Sequence, residues 1–228
     1  WLPAVWDNPE VATEAELAAV AAAAPDTLPA RMRQAKRRIA LVAALADLSG
    51  VWPLEAVTGT LSRLADACVH AAMTALVGAE IARGKLPGQG PDDAATAGGM
   101  VALAMGKMGA HELNYSSDID LILLFDETRY SSEDYPEARA ALVRASRKMT
   151  GWLSDPTSEG YVFRTDLRLR PDASVTPVCI PMAGAEAYYE AEGRTWERAA
   201  YIKARPCAGD IAAGEGFLRT LRPFVWRR

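Results

Sequence analysis

The chain has 228 residues, enough for one large domain or two small ones with a real hydrophobic core. Half of the residues are hydrophobic and 24% are charged, which is typical of a soluble globular protein. The net charge of −4 argues against a broad surface for nucleic acid or anionic membranes, although it leaves room for a local basic pocket.

The cysteines, the histidines, the apolar runs and the first residues narrow the class of protein further. Three widely spaced cysteines without a C-x-x-C pair predict neither a disulfide framework nor a zinc site, and they favour a reduced, cytoplasmic setting. Two histidines are too few to favour a histidine-based metal site or a Ser-His-Asp triad. The longest apolar run, around Ile39 to Leu45, is too short to span a bilayer. Residues 1–7 lack a basic segment and an initiating Met, so we expect no signal peptide and a fragment of a longer chain.

The first 86 residues are predicted to be mostly helical. Asn8-Pro9-Glu10 is a plausible helix start, because Pro fits the first helical position. The break after the first helix is predicted to run through Pro29. The basic face of the second helix is interpreted as a solvated surface. The amphipathic segments that predict helices are 13–23, 31–48 and 54–83.

The Gly- and Pro-rich stretch 84–92 predicts a boundary. We expect three segments: an N-terminal helical region over 1–92, a core over 93–180 and a C-terminal helical segment over 181–228. The elements predicted after the boundary are strands at 100–105, 118–125 and 161–169, a strand at 176–180 that returns as a hairpin against the third, and helices at 136–153, 182–192, 195–204 and 209–221.

Two carboxylates stand one residue apart at the start of an apolar run. Asp118 and Asp120 flank Ile119, and residues i and i+2 of a strand point to the same face, roughly 6.6 Å apart. Like charges this close repel each other unless a cation lies between them. One hypothesis is a divalent metal site, with Mg²⁺ favoured, and the other is a solvated acidic pair at the end of a strand. These residues alone leave both hypotheses open.

A second strand-like segment offers a third carboxylate. Arg164, Asp166, Arg168 and Arg170 alternate with apolar residues, and a period of two places them on one face. If this strand adjoins the first, Asp166 would complete a three-carboxylate site, and the arginines would meet phosphate oxygens. An ordinary half-exposed strand shows the same alternation, so the structural interpretation stays beside the functional one.

Small and basic residues are further candidates for phosphate contacts. Glycines at the end of a strand let backbone N–H groups approach an anion, although a plain tight turn explains them as well. The sequence has neither a Walker A loop nor a Rossmann fingerprint. Trp196 is expected in the core rather than as a base-stacking platform. The candidates for nucleotide or phosphate binding are Gly106, Lys107, Gly109, Ser116, Ser117, Arg168, Arg170, Lys203 and Arg205, and the catalytic and metal-binding candidates are Asp118, Asp120 and Asp166.

Together these features favour phosphoryl or nucleotidyl transfer. In such reactions carboxylates hold two divalent ions, and these ions clamp the attacking and leaving oxygens. Because catalysis then depends on positioning and charge stabilisation, no His or Cys nucleophile is needed. Asp166 is also a candidate acceptor for the proton of the nucleophile.

Several blocks of the sequence resemble one known family and occur in its order. The blocks are residues 104–109, 112–121, 166–172, 193–198 and 203–205. Together they closely resemble the bifunctional glutamine synthetase adenylyltransferase/adenylyl-removing enzymes. The resemblance implies an α+β nucleotidyltransferase fold of the DNA polymerase β-like type, with a small mixed sheet flanked by helices and an N-terminal helical region. The loop over 172–176 departs from the family pattern.

The resemblance also implies an activity. One half of these enzymes removes AMP from a modified tyrosine of glutamine synthetase by phosphorolysis, giving ADP, and the other half attaches AMP from ATP. Residues 193–198 with Lys203, and Asn114 ahead of Tyr115, resemble the adenylyl-removing half more closely. The implied cofactor is Mg²⁺, with two ions expected and Mn²⁺ as an alternative. The implied partners are glutamine synthetase, a PII-type signalling protein as regulator, ADP or ATP, and phosphate, with no nucleic acid and no membrane.

Two other hypotheses remain open. The first keeps the reaction class and reverses its direction, so that ATP and unmodified glutamine synthetase are the substrates. The second is a non-catalytic module that docks a PII-type protein or glutamine synthetase. The intact acidic triad argues against a docking module, because docking has no use for three convergent carboxylates.

Overall fold

The structure is a computed structural model that describes residues 1, 5 and 8–226. The predictions for residues 2–4, 6 and 7 concern positions outside the described ones. The helices are α1 (Pro9–Ala21), α2 (Leu28–Leu48), α3 (Leu54–Ala82), α4 (Gly106–Gly109), α5 (Tyr135–Ser154), α6 (Met182–Ala191), α7 (Thr195–Tyr201) and α8 (Ile211–Val225). The strands are β1 (Met100–Ala104), β2 (Ile119–Phe125), β3 (Thr165–Asp166), β4 (Cys179–Pro181) and β5 (Arg205–Gly209), and 3₁₀ segments occupy Pro91–Gly99 and Glu127–Arg129.

Caps and prolines set the ends of the first two helices. Val11 N donates to Asn8 Oδ1 at 3.0 Å, which confirms the predicted helix start. α2 begins at Leu28, so the predicted break through Pro29 is wrong, because Pro in the first turn removes no helical hydrogen bond. α2 ends before Ser49 and a glycine with a φ of +71°, a common helix stop.

α3 is the longest helix of the described part of the chain. By length and mean hydropathy alone, this 29-residue helix could cross a bilayer, and buried core helices pass the same test. The sequence prediction considered only unbroken apolar runs, which do not detect such a helix. Leu61, Leu64 and Cys68 on this helix have no solvent exposure. The helix contacts α2, α5, the 3₁₀ segment 91–99 and β5. It is therefore the element that joins the helical region to the sheet.

β2 is the central strand of a small mixed sheet, which has five strands within the described residues. β1 pairs antiparallel with one side of β2, and β5 pairs antiparallel with β1. On the other side of β2, two short strands pair parallel at different heights: β3 at the start of β2 and β4 at its end. This mixed sheet with its helices confirms the predicted α+β class.

Three strand predictions need correction. Within 161–169 only Thr165–Asp166 forms a strand, because the chain beyond it turns and bonds within its own loop. The hairpin predicted at 176–180 is wrong, since β4 pairs with β2 and not with β3. The residues of β5 were predicted as the linker between two helices and the first residue of the second. Pro206 hides this strand in the sequence, and it is tolerated there because β5 lies at the edge of the sheet.

Hydrophobic residues cover both faces of the sheet. Ile119 and every second residue after it pack into the main core with α1, α2, α3 and α5. Ile122 and Leu124 pack into a second cluster with Tyr189 and Phe217 from the C-terminal helices. The predicted polar face of β2 is therefore limited to Asp120, because both sides of the strand are buried beyond it. The division into the three segments stays a prediction.

Candidate functional site

Asp120 and Asp166 are direct neighbours on two parallel strands. The register pairs Ile119 with Thr165 and Asp120 with Asp166. Neighbouring strands lie about 4.8 Å apart. The prediction that the strand of Asp166 adjoins the D-x-D strand is therefore confirmed. Asp118 directly precedes β2, and the charges of Asp118 and Asp166 both act on the carboxylate of Asp120.

An exposed arginine holds Asp118. Arg164 Nε donates to Asp118 Oδ1, and Arg164 Nη2 donates to the carbonyl oxygen of Ser116 at 2.8 Å. The hydrogen bond to Asp118 raises the pKa of Arg164. About half of each side chain is exposed, at 53% and 51%. Because water screens such pairs, this one is weak and can exchange for another partner.

Arg168 holds Asp166 in a similar way. The backbone N–H of Arg168 donates to Asp166 Oδ1 at 2.8 Å, and Arg168 Nε donates to the two carboxylate oxygens at 3.0 and 2.9 Å. These hydrogen bonds lower the pKa of Asp166. The arginine side chain is 85% exposed and the aspartate side chain 20% exposed. Arg168 therefore covers the carboxylate on its solvent side.

Asp120 has no cation of its own. Among the described residues its carboxylate makes no hydrogen bond and no ion pair. Partial burial raises its pKa most, and the carboxylates of Asp166 and Asp118 raise it further, against an opposing effect of Arg168. Asp120 thus carries a repulsion that its present neighbours do not relieve.

The chemistry of these residues fits a hard divalent cation. Carboxylate oxygens are the ligands that Mg²⁺ prefers, and a cation would relieve the repulsion at Asp120. Over residues 1, 5 and 8–226, no group of three or more His, Cys, Asp or Glu side chains is already arranged to hold a metal ion. Asp118 and Asp166 are instead directed to Arg164 and Arg168. A cation bound by all three carboxylates would have to displace these arginines.

The predicted glycine loop is one helical turn, α4, that lies against Asp120. Gly106 has a φ of +53°, and a Cβ at this position would lie 3.3 Å from Asp120 Oδ2. A Cβ at Gly109 would lie 2.1 Å from the carbonyl oxygen of Lys203, so two backbone segments approach closely there. Lys107 is exposed, and within the described part of the chain its ammonium has no hydrogen-bond or ion-pair partner. It is therefore available to an anion.

Ser116 and Ser117 lie in the loop that leads into β2. Ser116 is exposed, and Ser117 Oγ donates to Asn114 Oδ1 at 2.5 Å. Tyr115 Oη donates to Asp47 Oδ2 at 3.2 Å, which ties the loop to α2. No sequence signal indicates this anchor. The two serines stay candidates for phosphate contacts because they immediately precede the first carboxylate.

Arg170 bonds within its own loop. It donates to the carbonyl oxygens of Leu167, Ala173 and Thr176 at 2.7, 2.8 and 3.0 Å. Burial lowers its pKa, and its Nε is buried without a partner among the described residues. Its terminal nitrogens therefore shape the loop 172–176.

Lys203 and Arg205 belong to a second charged cluster. Arg205 pairs with Asp66 at 2.8 Å and donates to the carbonyl oxygen of Gly109 at 3.2 Å. Lys203 pairs with Glu112 at 2.6 Å. The contact with Gly109 places this cluster near α4. Neither cation pairs with the three carboxylates, and their phosphate contacts stay a prediction from the basic residues of the sequence.

A polar pocket of about 270 Å³ opens beside Arg168. Trp196 lines this pocket and is 50% exposed, so the prediction that it lies in the core is wrong. Glu197, the next residue of that helix, is buried instead, and it accepts a hydrogen bond from Arg194 N at 2.7 Å. The motif R-T-W-E-R was the available signal for this pocket, because it combines cations with an aromatic residue.

These observations first define a class: an α+β protein with a carboxylate cluster at the start of two adjacent strands of a small mixed sheet. The family model for glutamate-ammonia ligase adenylyltransferase matches residues 3–220. The chain therefore belongs to the glutamate-ammonia ligase adenylyltransferase family.

Curated relatives confirm the resemblance found in the sequence. Each is a bifunctional glutamine synthetase adenylyltransferase/adenylyl-removing enzyme. The relative from Rhodopseudomonas palustris (strain TIE-1) is 46% identical over 215 residues, which are 94% of this chain and 22% of the relative. The relative from Bradyrhizobium sp. (strain BTAi1) is 50% identical over 197 residues, which are 86% and 20% of the two chains. The relative from Mesorhizobium japonicum is 46% identical, covering 100% of this chain and 24% of the relative. The chain thus spans between a fifth and a quarter of the length of these relatives.

Proposed function

We propose that this chain is a Mg²⁺-dependent nucleotidyltransferase domain that removes AMP from adenylylated glutamine synthetase by phosphorolysis and yields ADP. The observation that carries the proposal is the unpaired carboxylate of Asp120, next to Asp118 and Asp166 at the start of two adjacent strands. Membership of the family and the names of the relatives support the substrate. The nucleotidyltransferase fold of the DNA polymerase β-like type is part of the same proposal.

The reaction exchanges one phosphate ester for an anhydride. An oxygen of inorganic phosphate attacks the phosphorus of the AMP group, the bond between that phosphorus and the tyrosine oxygen breaks, and the tyrosine oxygen takes up a proton. A divalent cation, when bound by Asp118, Asp120 and Asp166, supplies charge stabilisation to the phosphoryl oxygens. Two such ions and their replacement by Mn²⁺ belong to the proposal.

Side chains of this chain orient the phosphates. Arg168 is mostly exposed, and it can move from Asp166 to a phosphate oxygen because exposed ion pairs contribute only about 0–1 kcal/mol. Lys107 follows Gly106 directly and has no ion-pair partner among the described residues, so it can bind a second phosphate oxygen. The lowered pKa of Asp166 keeps this carboxylate ionised, as a ligand for a cation must be.

Release of ADP tests the proposal. The folded chain is incubated with adenylylated glutamine synthetase, phosphate and Mg²⁺, and we expect ADP that depends on both phosphate and metal. Asp118→Asn and Asp120→Asn should stop release without changing the circular dichroism spectrum. Asp92→Asn is the matched control, because Asp92 is exposed and lies in the 3₁₀ segment before β1. Folded wild-type chain that releases no ADP would contradict the proposal.

The opposite direction is the second candidate. The relatives' name covers both activities, and the chain spans 22% of the relative from Rhodopseudomonas palustris. Transfer of label from α-labelled ATP to unmodified glutamine synthetase, without phosphate-dependent release of ADP, would assign the chain to adenylylation instead.

The effect of metal ions on nucleotide binding distinguishes the docking hypothesis from the two enzymatic ones. If Mg²⁺ and Mn²⁺ leave nucleotide binding unchanged, a non-catalytic module that docks glutamine synthetase or a PII-type protein becomes the better explanation. Regulation by a PII-type protein and a cytoplasmic location are further parts of the proposal. They are tested by the effect of purified PII protein on ADP release and by fractionation of cells.

A further inference from the structure

The pocket beside Arg168 shares this arginine with the carboxylate cluster. Arg168 lines the pocket and also bonds Asp166 through Nε. A ligand in the pocket would therefore contact the same guanidinium that covers the third carboxylate. With a volume of about 270 Å³, the pocket lies at the small end of ligand sites, which are usually 300–1,000 Å³. This size suits part of a nucleotide better than the whole of it.

Trp196 gives the pocket an aromatic wall. It is the second residue of α7, and half of its side chain is exposed, although Trp buries a large apolar area in most folds. An exposed indole beside a polar pocket offers a flat surface on which a nucleobase can stack.

Some charged side chains of the pocket already have hydrogen-bond partners, and others have none among the described residues. Glu197 accepts from the backbone of Arg194, and Asp172 accepts from Ser174 Oγ at 2.7 Å. The carboxylate of Glu192 and the guanidinium of Arg194 have no hydrogen bond or ion pair with other described residues. One acceptor and one cation are therefore available to a ligand. This pair matches a ribonucleotide, whose ribose hydroxyls donate to a carboxylate and whose phosphate accepts from a guanidinium.

We propose that this pocket holds the nucleoside end of the AMP group, with Trp196 stacking on the base and Glu192 accepting hydrogen bonds from the ribose hydroxyls. The phosphate then projects past Arg168 toward Asp118, Asp120 and Asp166. This inference rests on the proposed function, because it locates the nucleoside of that reaction. It holds for either direction, since ADP and ATP share the nucleoside.

Calorimetric titration with ADP and Mg²⁺ tests the pocket without any turnover. Trp196→Ala should raise the Kd for ADP about ten-fold, and Trp196→Phe should restore most of the affinity because it keeps an aromatic face. Trp226→Ala is the matched control, since Trp226 is 61% exposed and lies outside the pocket. Glu192→Ala should lower the preference for ADP over 2′-deoxy-ADP, whereas it should leave the affinity for inorganic phosphate unchanged.

Several results would overturn the inference: no binding of ADP by the wild-type chain, the same Kd for Trp196→Ala, or competition by phosphate but not by adenosine. The proposed function fails separately. If the wild-type chain releases ADP from adenylylated glutamine synthetase while Trp196→Ala keeps the wild-type Kd, only the pocket assignment is wrong. If ADP binding depends on Trp196 but no turnover occurs, the pocket stands and the proposed reaction is wrong.

Discussion

Two clusters of aspartates and arginines near α4 differ in how their charges are satisfied. At the β2–β3 edge, two carboxylates pair with exposed arginines and Asp120 has no cation among the described residues. In the second cluster, Asp66 and Arg205 are each 21% exposed, and the arginine also bonds backbone carbonyl oxygens of α4.

The difference separates a reactive arrangement from a structural one. Burial raises the pKa of Asp66, and the hydrogen bond and charge of Arg205 oppose that shift, so the pair offsets part of its own desolvation. At the β2–β3 edge the repulsion on Asp120 is left in place, which costs stability and supports the proposed cation site. Residue types alone therefore do not assign a role, whereas burial and the completeness of the hydrogen bonding do.

The largest expected effect is the loss of activity on removing one carboxylate charge. Asp120→Asn should lower the rate of ADP release at least ~10³-fold, because a lost metal ligand removes several kcal/mol of charge stabilisation in the transition state. Initial rates at saturating phosphate measure this effect. A variant with a rate within about ten-fold of wild type, which is only ~1.4 kcal/mol, would remove Asp120 from the reactive cluster.

Substitution of the two glycines of α4 should affect stability and activity in different ways. Gly109→Ala should cost about 3 kcal/mol of unfolding free energy, because its Cβ would lie 2.1 Å from the carbonyl oxygen of Lys203. Gly106→Ala should cost only about 1–2 kcal/mol for its φ of +53°. Its methyl group, 3.3 Å from Asp120 Oδ2, should instead lower activity. Urea denaturation and ADP release on the same samples measure both effects, and equal losses of stability would contradict the distinction.

Arg205 tests whether the second cluster is structural. Arg205→Ala should cost about 2 kcal/mol of unfolding free energy, because it leaves the half-buried Asp66 without its charged hydrogen-bond partner. Lys203→Ala is the control, and its exposed pair with Glu112 should contribute less than about 1 kcal/mol. If Arg205→Ala instead keeps its stability and raises the KM for phosphate, Arg205 belongs to the phosphate site predicted from the sequence.

The smallest expected effect is a pH-dependent gain in stability. The pKa of Asp120 is raised in the folded protein. The favourable contribution of this group to the unfolding free energy is therefore complete below the ordinary pKa of 3.8, and it is lost as the pH rises through the pKa of the folded protein. At neutral pH the ionised group therefore destabilises the fold, and Asp120→Asn should raise the unfolding free energy by roughly 0.5 kcal/mol. The gain should shrink as the pH falls toward 3.8. Asp166 behaves oppositely, because its lowered pKa adds stability that is lost on acidification.

The sequence predicts the central strand and its acidic pair because both leave strong local signals. The apolar run after Ile119 marks a buried strand, and D-x-D marks its start. The adjacency of Asp166 is also correct, although β3 has only two residues. The alternation of polar and apolar residues along 161–169 predicts a longer strand than the structure has. The later arginines bond to Asp166 and to loop carbonyl groups, so they do not continue the β-ladder.

The remaining features depend on contacts that are distant along the chain. β5 gains its strand conformation by pairing with β1, about a hundred residues earlier, which overrides the proline in its sequence. The exposure of Trp196 follows from Glu197 taking the buried position on a short helix. The pairing of Arg205 with Asp66 joins the last strand to α3, and no local pattern encodes it.

Binding of Mn²⁺ tests most directly whether the carboxylates at the β2–β3 edge form a metal site. Mn²⁺ is titrated into the wild-type chain and Asp120→Asn in the presence of ADP, and the free ion is followed by electron paramagnetic resonance. The wild-type chain should remove the signal of the free ion in proportion to protein, whereas Asp120→Asn should leave it nearly unchanged. Equal binding by both proteins would contradict the assignment of Asp118, Asp120 and Asp166 as the site.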